Sequence, residues 1–376
     1  MINRKIIAAI EKVLFKKKAV IIYGPRQAGK TTLCKLLVEK SGRRAMWLSG
    51  DEADVREFFT RPSISSLKKI THEKILVIDE AQRIENIGLC IKILVDNYPD
   101  LQVIVTGSSS LVLADSINEP LTGRKWEFLL LPLSFTELVE HTNILEENRQ
   151  LEQRLVYGSY PEVVLSSGTE ASLLKEISGS YLYKDILSWE SLRHPEKLDR
   201  LVKALALQIG SEVSYNELGQ ITGMSAETVE RYITLLEHAF IVFRLPAYCC
   251  NVRNELKKSR KVYFYDVGIR NALIGQFAPL SSRTDTGALW ENYLIVERMK
   301  SLQNSAEIFS SYFWRTLQQQ EIDYIEEING HISAYEFKWN EHKRAYIPLT
   351  FKKAYKDAAS HVISRANYSE FLFCEI

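Results

Sequence analysis

The stretch AVIIYGPRQAGKTTLCKLL, Ala19–Leu37, decides the fold. Its first five residues, Ala19–Tyr23, are an apolar run stopped by Gly24, which reads as a buried parallel strand. Gly24-x-x-x-x-Gly29-Lys30-Thr31 follows, and then a segment with helical character. Glycines at these positions let backbone N–H groups wrap around an anion, and a helix N-terminus adds partial positive charge. Gly24, Pro25, Arg26, Gln27, Ala28, Gly29, Lys30, Thr31 and Thr32 are therefore the candidate phosphate cradle. Lys30 is placed to reach the outer phosphates and Thr31 to ligate Mg²⁺. The bland alternative is a chance Gly/Lys loop, and the strand–loop–helix context argues against it.

Working outward, KILVIDEAQRI, Lys74–Ile84, has four apolar residues and then Asp79 and Glu80. Acids at the C-terminal end of a buried parallel strand sit where such sheets bind ligands. Asp79 is suited to hold Mg²⁺ through water, and Glu80 to polarise an attacking water. The competing reading is a strand-end acid that caps the next helix. LQVIVTGSSS, Leu101–Ser110, supplies another strand whose end offers Thr106 to a terminal phosphate or to the water. RRAMWLSGDE and KWEFLLLPLSF supply two more. The expected architecture is a five-stranded parallel sheet with helices on both faces.

The phosphate loop, the Asp79-Glu80 strand end, the Thr106 strand end and LTGRKWEFLLLPLSFTEL (Leu121–Leu138) together resemble the AAA+ class of ATPases. The resemblance implies ATP as ligand, Mg²⁺ as cofactor and hydrolysis as reaction. In that class an arginine before the fifth strand reaches into a neighbouring subunit's ATP. Arg124 matches that position, which implies a homo-oligomer; the local alternative is a salt bridge or helix cap.

The totals set few limits. The chain has 376 residues, 46% hydrophobic and 25% charged, with a net charge of +1. That is an ordinary globular composition with no global pull toward nucleic acid. Five scattered cysteines, Cys34, Cys90, Cys249, Cys250 and Cys374, fit a reducing cytosol. No apolar run approaches the roughly 18 residues of a spanning helix. The first residues read as a helix rather than a signal peptide. A cytoplasmic protein with no membrane partner is expected.

After a polar stretch from Glu140 to Gln150, YGSYPEVVL and SYLYKDIL look helical and aromatic. They resemble the lid-like region of a large bacterial and archaeal family that joins an AAA-type ATPase to a C-terminal domain of unknown function. Between Leu201 and Tyr248, Ser214 and Ser225 read as helix caps, Gly210 and Gly223 as helix ends, and FIVFRLPAY as a strand. Helix, helix-turn-helix and strand outline a winged helix. Its third helix carries Glu227, Glu230 and Glu237 against Arg231, whereas a helix facing phosphates should be basic. The basic residues cluster later, in RNELKKSRK (Arg253–Lys261). Protein scaffolding and nucleic-acid contact both remain open.

EIDYIEEINGHISAYEFKW, Glu321–Trp339, reads as a hairpin around Asn329-Gly330. A two-residue turn sets Ile328 against His331 and, counting back, Asp323 against Glu336. Opposed like charges destabilise a strand pair. Alternation puts Glu321, Asp323, Glu336 and Lys338 on one face, and Ile322, Tyr324, Tyr335 and Phe337 on the other, a core face. Upstream, Glu291 shares a helical face with Ala288, Leu294 and Ile295, so it points inward and needs a partner or a metal. A divalent cation between Asp323 and Glu336 turns repulsion into ligation, with Lys338 beside it to orient a water. The plain alternative is a salt-bridge ladder of Lys338 with Glu321 and Glu336. Asp323, Glu336-x-Lys338 and the helix acid Glu291 resemble the PD-(D/E)XK nuclease superfold. That implies a second Mg²⁺ or Mn²⁺ site held by Asp323, Glu336 and Glu291.

The expected fold class is α/β, a P-loop NTPase parallel sheet followed by a helical and winged-helix region and an α/β nuclease-like domain. The expected boundaries are 1–140 for the ATPase, 141–195 for a lid-like linker, 196–257 for the winged-helix-like part and 258–376 for the nuclease-like part. Catalytic roles fall to Glu80, Lys30, Arg124, Thr106 and Lys338, and metal ligation to Thr31, Asp79, Asp323, Glu336 and Glu291. The expected function is ATP hydrolysis whose nucleotide state controls a C-terminal module acting on DNA or RNA. The alternative is an ATP-switched regulatory protein that contacts a protein partner through an inactive nuclease-like domain.

Overall fold

The computed structural model describes residues 2–60, 62–108, 121–180, 195–248, 260–305, 307–341 and 346–374. SYLYKDIL beyond Ser180, the adjacent Cys249 and Cys250, and most of the basic stretch Arg253–Lys261 lie outside the described residues. The chain divides into two compact units, Met1–Leu133 with His238–Phe240, and Ser134–Glu237 with Ile241–Ile376. Among the described residues no helix is long and apolar enough to cross a membrane.

The first unit is built on β1 (Ala19–Tyr23), β2 (Ala45–Ser49), β3 (Ile75–Asp79), β4 (Gln102–Gly107) and β5 (Lys125–Leu129). All neighbours run parallel in the order β2-β3-β4-β1-β5. Strand periodicity accounts for the two cores. Ala19, Ile21, Leu76, Ile78, Val103 and Val105 pack on one face with Phe59, Ile91 and Leu94. The alternate residues Val20, Ile22, Ile75, Val77 and Ile104 pack on the other with Ile6, Ile10, Leu33 and Leu37. Full burial of each Val, Leu, Ile or Phe side chain among these contributes about 1.5–3 kcal/mol. β1 and the first four residues of β3 are an unbroken run of Ala, Val, Ile, Leu and Tyr because both of their faces are covered.

In the second unit, helix Pro195–Leu207 is followed by β6 (Glu212–Val213), helices Tyr215–Thr222 and Ala226–His238, β7 (Val242–Pro246) and β8 (Arg260–Phe264). β8 pairs antiparallel with both β6 and β7, so this three-stranded sheet takes a strand from beyond residue 257. Ser214 and Ser225 accept from the N–H groups of Glu217 and Thr228, and Gly223 ends its helix at φ 67°. Glu230 and Glu237 are tied to Arg260 and Arg244.

A second sheet follows helix Thr286–Asn304. It contains β9 (Phe309–Arg315), β10 (Glu321–Ile328), β11 (His331–Phe337) and β12 (Ala359–Ile363) in the order β12-β11-β10-β9. β10 is antiparallel to β9 and β11, and β12 is parallel to β11. Asn329 and Gly330 have φ 51° and 80°, the paired positive values of a two-residue hairpin turn. The register runs from Ile328↔His331 to Tyr324↔Tyr335.

Candidate functional site

The phosphate loop joins the end of β1 to helix Lys30–Ser41. Gly24 has φ 148°, and a Cβ there would lie 2.1 Å from the carbonyl oxygen of Leu130, so both backbone conformation and space demand glycine. Gln27 and Gly29 also have positive φ, 55° and 94°. These angles fold the loop back over the helix N-terminus. The buried Lys30 ammonium donates to the carbonyls of Gly24 and Pro25 at 2.9 and 2.7 Å. Thr32, next along, is exposed.

Asp79 gathers the neighbouring hydroxyls. Thr31 Oγ1 donates to Asp79 Oδ2 at 2.8 Å, and Thr106 Oγ1 donates to Asp79 Oδ1. The Glu80 N–H donates to Asp79 Oδ1 and Thr106 Oγ1 at 3.2 and 3.3 Å. β1, β3 and β4 thus bring Lys30, Thr31, Asp79, Glu80 and Thr106 together. The hard-oxygen donor pair of Thr31 and Asp79, already in contact, fits Mg²⁺. Burial, with the Asp79 carboxylate next in importance, pushes the neighbouring Cys34 thiol well up, so that sulfur stays protonated.

Arg124 stands apart from this set. Its Nε lies 2.7 Å from Asp96 Oδ1 in a half-exposed ion pair.

Sequence reasoning missed two residues here. Arg4 is buried and donates to the carbonyls of Ala28 and Leu131 at 2.8 and 2.6 Å, clamping the loop. Gln82 donates to Glu80 Oε2 at 2.5 Å and to Ser108 Oγ at 2.9 Å. Nothing local marks Arg4. Gln82 stood in plain view two residues after Glu80, but only the turn Ala81–Arg83 brings it back onto the carboxylate.

The acids of the second unit also converge. Lys338 Nζ lies 2.6 Å from Glu336 Oε1. The β10–β11 ladder stops short of Asp323, whose Oδ2 instead accepts the Phe337 N–H at 2.8 Å. Burial, then the Glu291 and Glu336 carboxylates, push Asp323 well above the usual carboxylate range. Burial also raises Glu336 despite its bond to Lys338. Glu291 points inward, but its partners are protein groups. Lys261 Nζ lies 2.9 Å from Glu291 Oε1, and Tyr263 Oη donates to the same oxygen at 2.5 Å. Lys261 also reaches Glu321 Oε1 at 2.5 Å. Burial opposes the charge on Lys261, and Glu291, Glu321 and Asp323 together more than offset it, so the ammonium is held charged. Among the described residues no three His, Cys, Asp or Glu side chains converge in a metal-holding arrangement. The cation that the helix acid Glu291 meets is Lys261. One atom is left over: Glu336 Oε2 is buried and has no hydrogen-bond partner among the described residues.

Residues 16–139 match a family model described as an AAA domain. Residues 148–280 and 286–371 match two domains of unknown function, DUF8612 and DUF4143. An uncharacterized protein of Mycobacterium bovis is 27% identical over 344 residues, 89% of this chain and 74% of that protein. An uncharacterized protein of Methanocaldococcus jannaschii is 24% identical over 310 residues, 77% of this chain and 68% of that protein. Among solved structures, a Walker-type ATPase of Pyrococcus abyssi is similar at 15% identity and TM-score 0.49, covering 73% of this chain and 96% of that one. The glycine loop, the strand order and the AAA-domain match define the first unit as an AAA-like P-loop ATPase fold. Mixed helical and sheet regions follow it.

Proposed function

We propose that the chain binds and hydrolyses ATP at the first unit and that the nucleotide state controls the second. One observation carries the reading: Thr31 at the start of helix Lys30–Ser41 and Asp79, Glu80 and Thr106 at the ends of adjacent strands form a single hydrogen-bonded set. Lys30 and the loop amides hold the phosphates. Thr31 and Asp79 would hold Mg²⁺, which when bound neutralises phosphate charge. Glu80 orients the water whose oxygen bonds to the γ-phosphorus as the bridging P–O bond to ADP breaks. Thr106 holds the Asp79 carboxylate in place. Arg124, just before β5 and beside Ala19, is assigned to a neighbouring subunit's nucleotide in a homo-oligomer, which requires it to leave Asp96.

The test is phosphate release by the purified chain with ATP and Mg²⁺. Lys30→Ala should abolish nucleotide binding. Glu80→Gln should bind nucleotide and lose turnover by roughly 10²-fold or more. Unchanged turnover in the Glu80 variant removes that residue's role and with it the hydrolysis scheme.

For the second unit the favoured reading is a winged-helix-like part and a nuclease-like part that bind DNA, RNA or a protein partner without cutting, in the cytoplasm. Lys261 favours it, since the cation beside Glu291 is the protein's own. Glu336 Oε2, buried beside Lys338, favours the second reading, in which Asp323 and Glu336 retain cleavage. Plasmid incubated with the chain and Mn²⁺, with and without ATP, separates the two. Cleavage that disappears in Glu336→Ala and Lys338→Ala selects the second; intact plasmid under every condition selects the first.

A further inference from the structure

Glu80 is held more firmly than a strand-end acid needs to be. Its backbone is left-handed, φ 50°, which turns the chain off β3 into the short turn Ala81–Arg83. Gly50 packs so close that a Cβ there would meet the Glu80 carbonyl oxygen at 2.4 Å. The Arg83 N–H donates to the same carbonyl at 3.1 Å. With the backbone fixed, the carboxylate direction is the remaining freedom, and Gln82 controls it.

An amide nitrogen has two protons to give. Gln82 Nε2 places one on Glu80 Oε2 at 2.5 Å and the other on Ser108 Oγ at 2.9 Å. Its Oε1 is buried with no partner among the described residues. Ser108 follows β4 directly, and its hydroxyl, accepting from Gln82, keeps a proton to donate. Thr106, two residues earlier, holds Asp79. Two hydrogen-bond chains thus run from the end of β4 to Asp79, the last residue of β3, and to Glu80, which follows it.

We infer that Gln82 is a positioning residue that fixes the Glu80 carboxylate and links it to Ser108, so that phosphate engaged by Ser108 and water oriented by Glu80 are set by one amide. The inference rests on the ATP-hydrolysis reading. Gln82 moves no proton in this scheme; it acts through Glu80.

Steady-state kinetics on the full chain with ATP and Mg²⁺ test it. Gln82→Ala should lower kcat by roughly 10- to 100-fold, the scale of a small misplacement of a catalytic group. KM and the affinity for a non-hydrolysable ATP analogue should stay within about twofold, because the amide touches no cradle residue. Ser108→Ala should also lower kcat, and Gln82→Ala/Ser108→Ala should be no worse than Gln82→Ala alone, the signature of one coupled chain. If Gln82→Ala does not fold, Gln82→Asn, one methylene short, carries the same readouts. A wild-type-like kcat in a Gln82 variant, a matching loss of analogue affinity, or additive single effects each overturns the inference. In the first of these cases the hydrolysis reading stands; a wild-type chain without turnover removes both.

Discussion

The Lys261 ammonium bridges Glu291 and Glu321, at 2.9 and 2.5 Å, with only 1% of its side chain exposed. A buried cation between two acids holds β8, helix Thr286–Asn304 and β10 to a common point. Removing one partner of a buried pair typically costs about 3–5 kcal/mol, because the other is left uncompensated. Lys261→Met should therefore lower the stability of the second unit by roughly 3 kcal/mol. Glu291→Gln should cost less, since its amide oxygen still accepts from Tyr263 and Lys261 keeps Glu321. Urea unfolding followed by fluorescence of the second unit measures both. Equal losses, or a Lys261 loss under about 1 kcal/mol, would show that the pair does not order the cluster.

Thr31 and Asp79 meet at 2.8 Å, and the two donors are separated by 48 residues. If they share Mg²⁺, ATP affinity should rise with Mg²⁺ in the wild type and lose most of that dependence in Asp79→Asn. Titration of a fluorescent ATP analogue at fixed protein with varied Mg²⁺ reads this directly. Thr31→Ala should weaken the dependence in the same direction. A Mg²⁺ response unchanged in both variants would assign the metal elsewhere.

How much of this was legible in the sequence follows from distance along the chain. The phosphate loop and the acids ending β3 are local patterns, because a glycine loop between strand and helix writes its own geometry. The hairpin register was legible for the same reason: Asn329-Gly330 permits one tight turn, and alternation does the rest. The partners were not legible. Arg4 reaches a carbonyl 127 residues away, and Lys261 meets Glu291 across 30. Glu326 is the sharpest case. Alternation puts it on the apolar face of Ile322 and Tyr324, where an acid looks out of place. The structure buries it against Arg298, at 2.9 and 2.5 Å, with Tyr335 Oη donating as well. A buried acid is tolerated only where a cation arrives from another element, and one strand's sequence does not say which.

Arg124 and Asp96 form a pair with side chains 37% and 39% exposed. Such pairs contribute roughly 0.2–1 kcal/mol, so Arg124 can leave its partner cheaply. If it serves a neighbouring subunit, turnover per chain should rise with protein concentration in the wild type and stay flat in Arg124→Ala. Asp96→Ala, which frees the arginine, should keep the concentration dependence. A flat wild-type profile with full activity in Arg124→Ala would leave the residue as a surface ion pair.

Asp285 gives the second unit an acid-sensitive point. Burial alone would raise its pKa, but hydrogen bonds from Arg283 at 2.8 and 2.9 Å and from Arg270 at 2.5 Å overcome that and hold it at about 2. The unfolded chain binds that proton near pH 3.9. A depressed folded-state pKa contributes stability that is complete above the unfolded value and is lost as pH falls through the window down to the folded one. Wild type and Asp285→Asn should therefore differ most in thermal midpoint at pH 5 and above. The gap should narrow between about pH 4 and 2 as the wild-type carboxylate takes up its proton. Melting curves of both proteins across that range decide it. A gap that stays constant down to pH 2 would mean that it does not arise from the ionisation of Asp285, and that the charge on that carboxylate contributes nothing.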